Sequence, residues 1–212
     1  PFPHVSQLAK TDVAYGTLSP DLTPFYHLEP KLDNFSLAIQ AKQKQIIDRN
    51  ALVEVLTEQY CTIGQLEDRK NLIDSLLSEQ TFTIATAHQP CLLLGPLYFI
   101  YKIVSAINLS KSLKTAYPTQ TFVPIFVIGG EDHDFEEINH IHLFNRTLSW
   151  EATDGGPVGL YSTASLKPVL TALQSIVGTS AEAERLFGLV SNAYTRYDNY
   201  FDATQYLIDR YF

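Results

Sequence analysis

Methionine does not occur in these 212 residues, tryptophan occurs once and cysteine twice. The chain also opens on Pro1 instead of an initiator methionine, so it is expected to be part of a longer polypeptide. Cys61 and Cys91 are too few for a disulfide framework and no signal-peptide pattern precedes them, so the expected compartment is a reducing cytoplasm. No apolar run reaches the ~18 residues of a membrane span, and no membrane partner is expected. Basic side chains are in the minority. Fifteen Lys+Arg against 23 Asp+Glu give a formal charge of -8, the wrong sign for holding a nucleic-acid backbone. Internal repeats are missing, as are Gly-x-Gly-x-x-Gly, Gly-x-x-x-x-Gly-Lys-Ser/Thr and His-Glu-x-x-His, the usual signatures of dinucleotide, P-loop and zincin sites.

What is present suits a globular α/β chain, 45% apolar, forming one domain or one domain with an appendage. Residues 1 to 30, rich in Pro, Thr, Tyr and Phe without a period, read as an extended arm. From 31 to 78 apolar residues recur at helical spacing, with a break at Gly64, predicting two or three amphipathic helices. The β-branched alternation of Thr81 to Thr86 predicts a strand, and Leu97 to Lys114 a helix with Pro96 in its first turn. Phe122 to Ile128 predicts a second strand, covered on both faces. Strand, helix, strand in that order is a parallel crossover unit. Ile141 to Ala152 predicts a hairpin turning at Asn145-Arg146. Residues 166 to 212 predict Tyr- and Phe-rich helices broken near Gly178 and Tyr197-Asp198, with the aromatics and Trp150 serving as packing. This gives three segments: arm and helices over 1–80, the first part of the core over 81–140, and a hairpin with helices over 141–212.

Chemistry concentrates after the two strands, where open parallel sheets bind ligands. The first cluster lies between His88 and Pro96, at the start of a long helix whose dipole and free N–H groups favour an anion. His88 offers a switchable proton and Gln89 both a donor and an acceptor, while Tyr98 and Lys102 can reach back toward a phosphate or carboxylate. Cys91 in this loop is expected to pack rather than react. The second cluster follows Gly129 and Gly130, which let the backbone turn and approach a ligand. Glu131, Asp132, His133, Asp134, Glu136, Glu137, Asn139 and His140 supply acids, bases and possible metal ligands. A helix starting after Asp134 would make Glu136 and His140 an i, i+4 pair, with His133 and Glu137 near the same face. His140 and His142 are expected to be solvated or hydrogen-bonded rather than metal-bound.

These stretches together resemble the bacillithiol-biosynthesis cysteine-adding enzymes, the BshC family of cysteine ligases. The likeness rests on Pro1-Phe-Pro, on Ala87 through Lys102, and on Val123 through His140. In the first loop Gln89, Gly95, Pro96, Tyr98, Tyr101 and Lys102 match the family pattern, whereas Cys91 stands where a glycine is usual. The resemblance implies a Rossmann-like core, of which this chain carries the N-terminal portion, and a homodimer formed through a C-terminal coiled coil outside it. It implies ligation of the cysteine carboxyl to the amino group of glucosaminyl-malate. ATP or ADP is the candidate nucleotide, with how the carboxyl is activated left open and no metal expected.

The expected roles under that resemblance are His88 as oxyanion donor, Asp132 or Asp134 as base or ammonium ligand, and His133 as proton shuttle. Gln89, Gly95, Tyr98, Lys102, Gly130, Glu131, Glu136, Asn139 and His140 would bind substrate or nucleotide. Two rival readings stay open: a metal-dependent hydrolase built on Asp132, His133, Asp134 and His140, and a folded module without catalysis.

Overall fold

The computed structural model describes residues 7–212, so the Pro1-Phe-Pro part of the family likeness lies outside the described residues. The chain divides into two compact units, the first ending at Ile47 and the second running from Asp48 to Phe212. Within the first unit the extended arm is not what forms. Helix α1 spans Lys10–Gly16, begun by the Asp12 carboxylate accepting from Ala9 N at 3.0 Å. A 3-10 segment follows over Pro20–Phe25, with proline pre-setting its first φ, and then α2, Phe35–Gln43. Local capping overrides the absence of apolar periodicity there.

The second unit opens with α3, Arg49–Thr62, capped by Asp48 Oδ1 accepting from Ala51 N. It closes at Gly64, whose φ of +68° lets the chain turn into α4, Leu66–Ser75. Strand β1, Thr81–His88, then leads through α5, Leu97–Ala116, to β2, Thr121–Ile128. The strands pair in parallel from Thr81↔Thr121 to His88↔Ile128, so their carboxyl ends finish side by side. Helix α5 packs on them through Phe99, Ile103, Ala106, Ser110 and Leu113, one buried stripe at spacings of three and four. Phe99 meets Phe126 of β2 with ring centroids 4.8 Å apart. Strand β2 is covered on both faces only in part, not throughout as its sequence suggests. Phe122 and Val123, successive residues on opposite faces, are both buried, but Val127, on the face of Val123, is 51% exposed, so the cover on that face stops short of the strand's end.

Beyond β2 a single turn, α6, Phe135–Ile138, gives way to the hairpin of β3, His140–Leu143, and β4, Arg146–Ser149. Phe144 and Asn145, with φ of 48° and 62°, form its two-residue turn, one position earlier than the sequence suggests. Positive φ at both positions matches the twist of the flanking strands. Helices α7, Lys167–Val177, α8, Ala181–Arg196, and α9, Tyr200–Tyr211, complete the unit. Ser180 and Asn199 cap α8 and α9, and the breaks fall where Gly178 and Tyr197-Asp198 place them.

One apolar core joins these parts. It runs from Cys91, Leu92 and Leu94 through Trp150 to Tyr194 and Tyr200, so the hairpin and last helices pack directly on the β1–α5 loop. Trp150 is 1% exposed, packs at a tilt with its ring centroid 4.6 Å from that of Tyr200, and donates from Nε1 to Ser165 Oγ. Truncating a buried ring of this kind costs about 3–5 kcal/mol, so the Tyr-rich end is structural, as its sequence implies. Among the described residues no helix is long and apolar enough to cross a membrane.

Candidate active site at the strand ends

The two strand exits are tied together by Gly129 N donating to His88 O at 2.9 Å. On the first exit His88 sits between two partners: Nδ1 lies 3.2 Å from Gln89 O, and Nε2 lies 3.1 Å from the Tyr98 hydroxyl. A carbonyl only accepts, so Nδ1 carries the ring proton in the neutral state and Nε2 accepts from Tyr98. Cys91 Sγ lies 3.5 Å from Nδ1 but is buried. Burial, reinforced by the charge of Glu137, pushes its thiol up to about 11, so it packs and supplies no thiolate at neutral pH. Lys102 Nζ donates to Ala87 O at 3.2 Å and stands 5.7 Å over the Tyr98 ring.

The second exit supplies carboxylates. Gln89 Nε2 donates to Asp132 Oδ2 at 3.0 Å and to Glu137 Oε2 at 3.1 Å, so one amide holds two acids side by side. Asp132 Oδ1 accepts from Asp134 N at 2.8 Å. That bond first, and Gln89 second, hold the Asp132 carboxyl below its ordinary value. Asp134 Oδ1 in turn accepts from Glu137 N and starts α6. Asp134 is therefore a helix cap, and its capping aims Glu137 at Gln89.

The helix expected after Asp134 lasts one turn. Ile138 is 1% exposed and Trp150 N donates to Asn139 O at 2.7 Å, which commits the chain to the hairpin. Glu136 and His140 are consequently not an i, i+4 pair, and His133, Glu136, Glu137 and His140 do not share a helix face. His140 lies exposed on β3 with its ring 5.6 Å from His142, and its Nδ1 pairs with Asn139 Oδ1. His142 pairs with Thr147 Oγ1. Glu131, His133 and Glu136 are exposed on the loop and α6. Among the described residues no three His, Cys, Asp or Glu side chains form a metal-binding group, so Asp132, His133, Asp134 and His140 are not gathered as the hydrolase reading requires.

Two glycines expected at the ligand are explained by packing. A Cβ on Gly95 would collide with the Ile141 side chain, and one on Gly130 would lie 2.8 Å from Phe201 Cδ2. Gly130 faces Gly159, whose own Cβ would fall 2.9 Å from Gly130 O. Gly159 N donates to Gly130 O and Val158 N to Asp132 O, both at 2.8 Å, so residues 158–160 splint the carboxylate loop. Both glutamates belong to the polar segment and Glu136 is the one expected to bind a ligand, but it is Glu137 that reaches Gln89, and Gly159 lies outside every motif of the sequence. The spacing Asp134-x-x-Glu137, a cap and its third helical residue, is the signal that distinguishes the two glutamates.

The site thus has a bank of His88, Tyr98 and Lys102 on β1 and α5, and a bank of Asp132 and Glu137 after β2, bridged by Gln89.

A family model described as "Bacillithiol biosynthesis BshC, N-terminal Rossmann-like domain" matches residues 4–212. A Flavobacterium psychrophilum protein named "Putative cysteine ligase BshC" is 42% identical over 207 residues, covering 96% of this chain and 39% of that protein. Proteins of the same name from Flavobacterium johnsoniae and Christiangramia forsetii are 41% and 36% identical, covering 91% and 100% of this chain. The chain spans about two fifths of the length of these relatives. A parallel strand–helix–strand unit with its polar loops at the carboxyl ends is what a match of that extent calls for, and the chain belongs to the BshC family of bacillithiol biosynthesis, carrying its N-terminal Rossmann-like domain.

Proposed function

We propose that this domain supplies part of the active site of a carbon–nitrogen ligase that joins cysteine to glucosaminyl-malate. The observation that carries the reading is the Gln89 amide holding Asp132 and Glu137 together at the strand ends. Two adjacent carboxylates at an open site suit the ammonium of cysteine or the amine of the acceptor. Amide formation joins the cysteine carboxyl carbon to the sugar amine nitrogen, with loss of a carboxyl oxygen and of amine protons. His88 can take such a proton through Tyr98, whose hydroxyl passes its own proton to Nε2 as the phenol oxygen receives one. This differs from the oxyanion-donor role expected of His88, and leaves that role to the Lys102 ammonium. Asp132, held ionised by its hydrogen bonds, and Asp134, engaged as a cap, bind and position instead of abstracting protons. His133, Glu131 and His140 stand at the rim.

Joining a carboxylate to an amine in water needs activation, which ATP would supply. The N-terminus of the 20-residue α5 has no side-chain cap and lies beside Lys102, so these residues fit a phosphate group. A cytoplasmic, homodimeric enzyme is part of the same reading.

The test is amide formation from cysteine and glucosaminyl-malate by a protein of the relatives' full length. Glu137→Gln should raise the KM for cysteine about 10- to 100-fold, the range of a lost charge-assisted bond, with the fold intact. A wild-type protein making no amide product from these substrates overturns the reading.

A further inference from the structure

We propose that Tyr194 is a positioning residue of the candidate ligase site: its hydroxyl accepts from Leu93 N and thereby holds the β1–α5 loop in the conformation that keeps His88 against Tyr98.

The loop takes a shape its residues do not favour. Leu93, at φ 55° and ψ 26°, and Leu94, at φ 58°, occupy the left-handed region in succession. Glycine and asparagine are the usual residues there, because a Cβ crowds the backbone. Leucines stand in their place because the turn also builds core, with Leu92 and Leu94 buried beside Trp150 and Tyr200. A turn without the local chemistry for its own conformation persists only where its surroundings fix it.

Those surroundings fall into three parts. Leu94 N donates to Cys91 O at 3.1 Å and Gly95 N to Leu92 O at 3.0 Å, both within the turn. Past the turn, Gly95 lies against Ile141 with no room for a Cβ. The Leu93 N–H is left over by the turn and donates to the Tyr194 hydroxyl at 3.1 Å, 101 positions along the chain. Tyr194 stands on the buried stripe of α8 with Val190 and Ala193. Tyr197, just past that helix, donates from its hydroxyl to Ile63 O at 2.8 Å, so the far end of the pin is itself anchored.

Core packing accounts for the Tyr194 ring but not for its hydroxyl. Phenylalanine would bury the same ring without desolvating a phenol, and a phenol this deep stabilises only while it is bonded. Burial pushes the hydroxyl up to about 12, so it is uncharged at neutral pH. The bond it makes falls between the two halves of the first bank of the site. Before the turn stand His88 and Cys91, with Sγ 3.5 Å from Nδ1, and after it stands Tyr98, 3.1 Å from His88 Nε2. A turn released to negative φ would shift the start of α5, and Tyr98 with it, relative to His88.

This role rests on the ligase reading for the proton transfer that it serves, whereas the geometry of the His88–Tyr98 pair does not, and the experiment reads both in a family-length protein. In the wild type the Leu93 N–H should exchange with solvent at least ~1000-fold more slowly than in the unfolded chain. Exchange within ~10-fold of the unfolded rate overturns the proposal without recourse to any variant. In nitrogen-15 NMR, Tyr194→Phe should move the His88 Nε2 resonance in the same direction as Tyr98→Phe. Tyr206→Phe removes a different buried hydroxyl bond, the one that Asn192 of α8 donates to α9, and should leave that resonance in place. An unmoved resonance in Tyr194→Phe, or an equal movement in Tyr206→Phe, overturns the proposal. Where amide product is formed, Tyr194→Phe should lower kcat about 10-fold and leave the KM for cysteine within ~2-fold, and a wild-type kcat in that variant also overturns it. With no amide product from the wild type the ligase reading falls, and the His88 resonance still decides the positioning.

Discussion

His88 Nε2 and the Tyr98 hydroxyl lie 3.1 Å apart, while the opposite ring nitrogen faces the Gln89 carbonyl at 3.2 Å. One residue on a strand end and one in the first turn of α5 thereby fix a tautomer. Nitrogen-15 NMR of a family-length protein should show neutral His88 protonated at Nδ1. Tyr98→Phe should mix the two tautomers and reduce kcat with little change in the unfolding midpoint. A His88 already mixed in the wild type would refute the assignment.

Asp132 sets an acid limit on the loop. Its carboxyl is held below the unfolded value of 3.8 mainly by Asp134 N. A depressed folded pKa means the contribution to stability is fully present above 3.8 and is lost as pH falls through the lower folded value. Asp132→Asn should therefore destabilise the protein near neutrality and cease to differ from wild type at the acid end of the titration, as followed by urea midpoints from pH 7 to 2.

Gly159 has no room for a methyl group, since its Cβ would press on the Gly130 carbonyl oxygen, a backbone atom. Gly159→Ala should lower stability by about 1–3 kcal/mol, the range for overpacking. Because residues 158–160 hold Gly130 and Asp132, it should also weaken substrate binding. Chemical denaturation together with KM measurement checks both, and a neutral effect on each would dismiss the splint.

Arg69 pairs with Asp209 through Nε to Oδ1 at 2.6 Å and from Nη2 to the Asp209 carbonyl, and the Asp209 side chain is only 3% exposed. Arg69→Ala strands that carboxylate and should cost about 3–5 kcal/mol. A second substitution, Asp209→Asn, should recover part of the loss. Thermal unfolding of the single and double variants gives the comparison.

Much of this was legible along the chain. The βαβ order, the helix stripe from Phe99 to Leu113, the breaks at Gly64 and Gly178, and the polar loops after both strands all follow from short-range patterns. These are effects of neighbours within four residues, where periodicity and capping act. The order of residues alone put His88, Gln89 and the Asp132 segment at the carboxyl end of one sheet, because strands joined by a helical crossover run the same way.

Only the tertiary structure decided which of these side chains meet. Glu137 instead of Glu136 reaches Gln89 because Asp134 caps a helix that Trp150 cuts to one turn. Gly130 is a glycine because a Cβ there would collide with the Phe201 ring, and Gly159 because one there would press on the Gly130 backbone, partners far apart along the chain. Such contacts depend on side-chain direction and on the packing of distant segments into one core, and neither leaves a periodic trace in the order of residues.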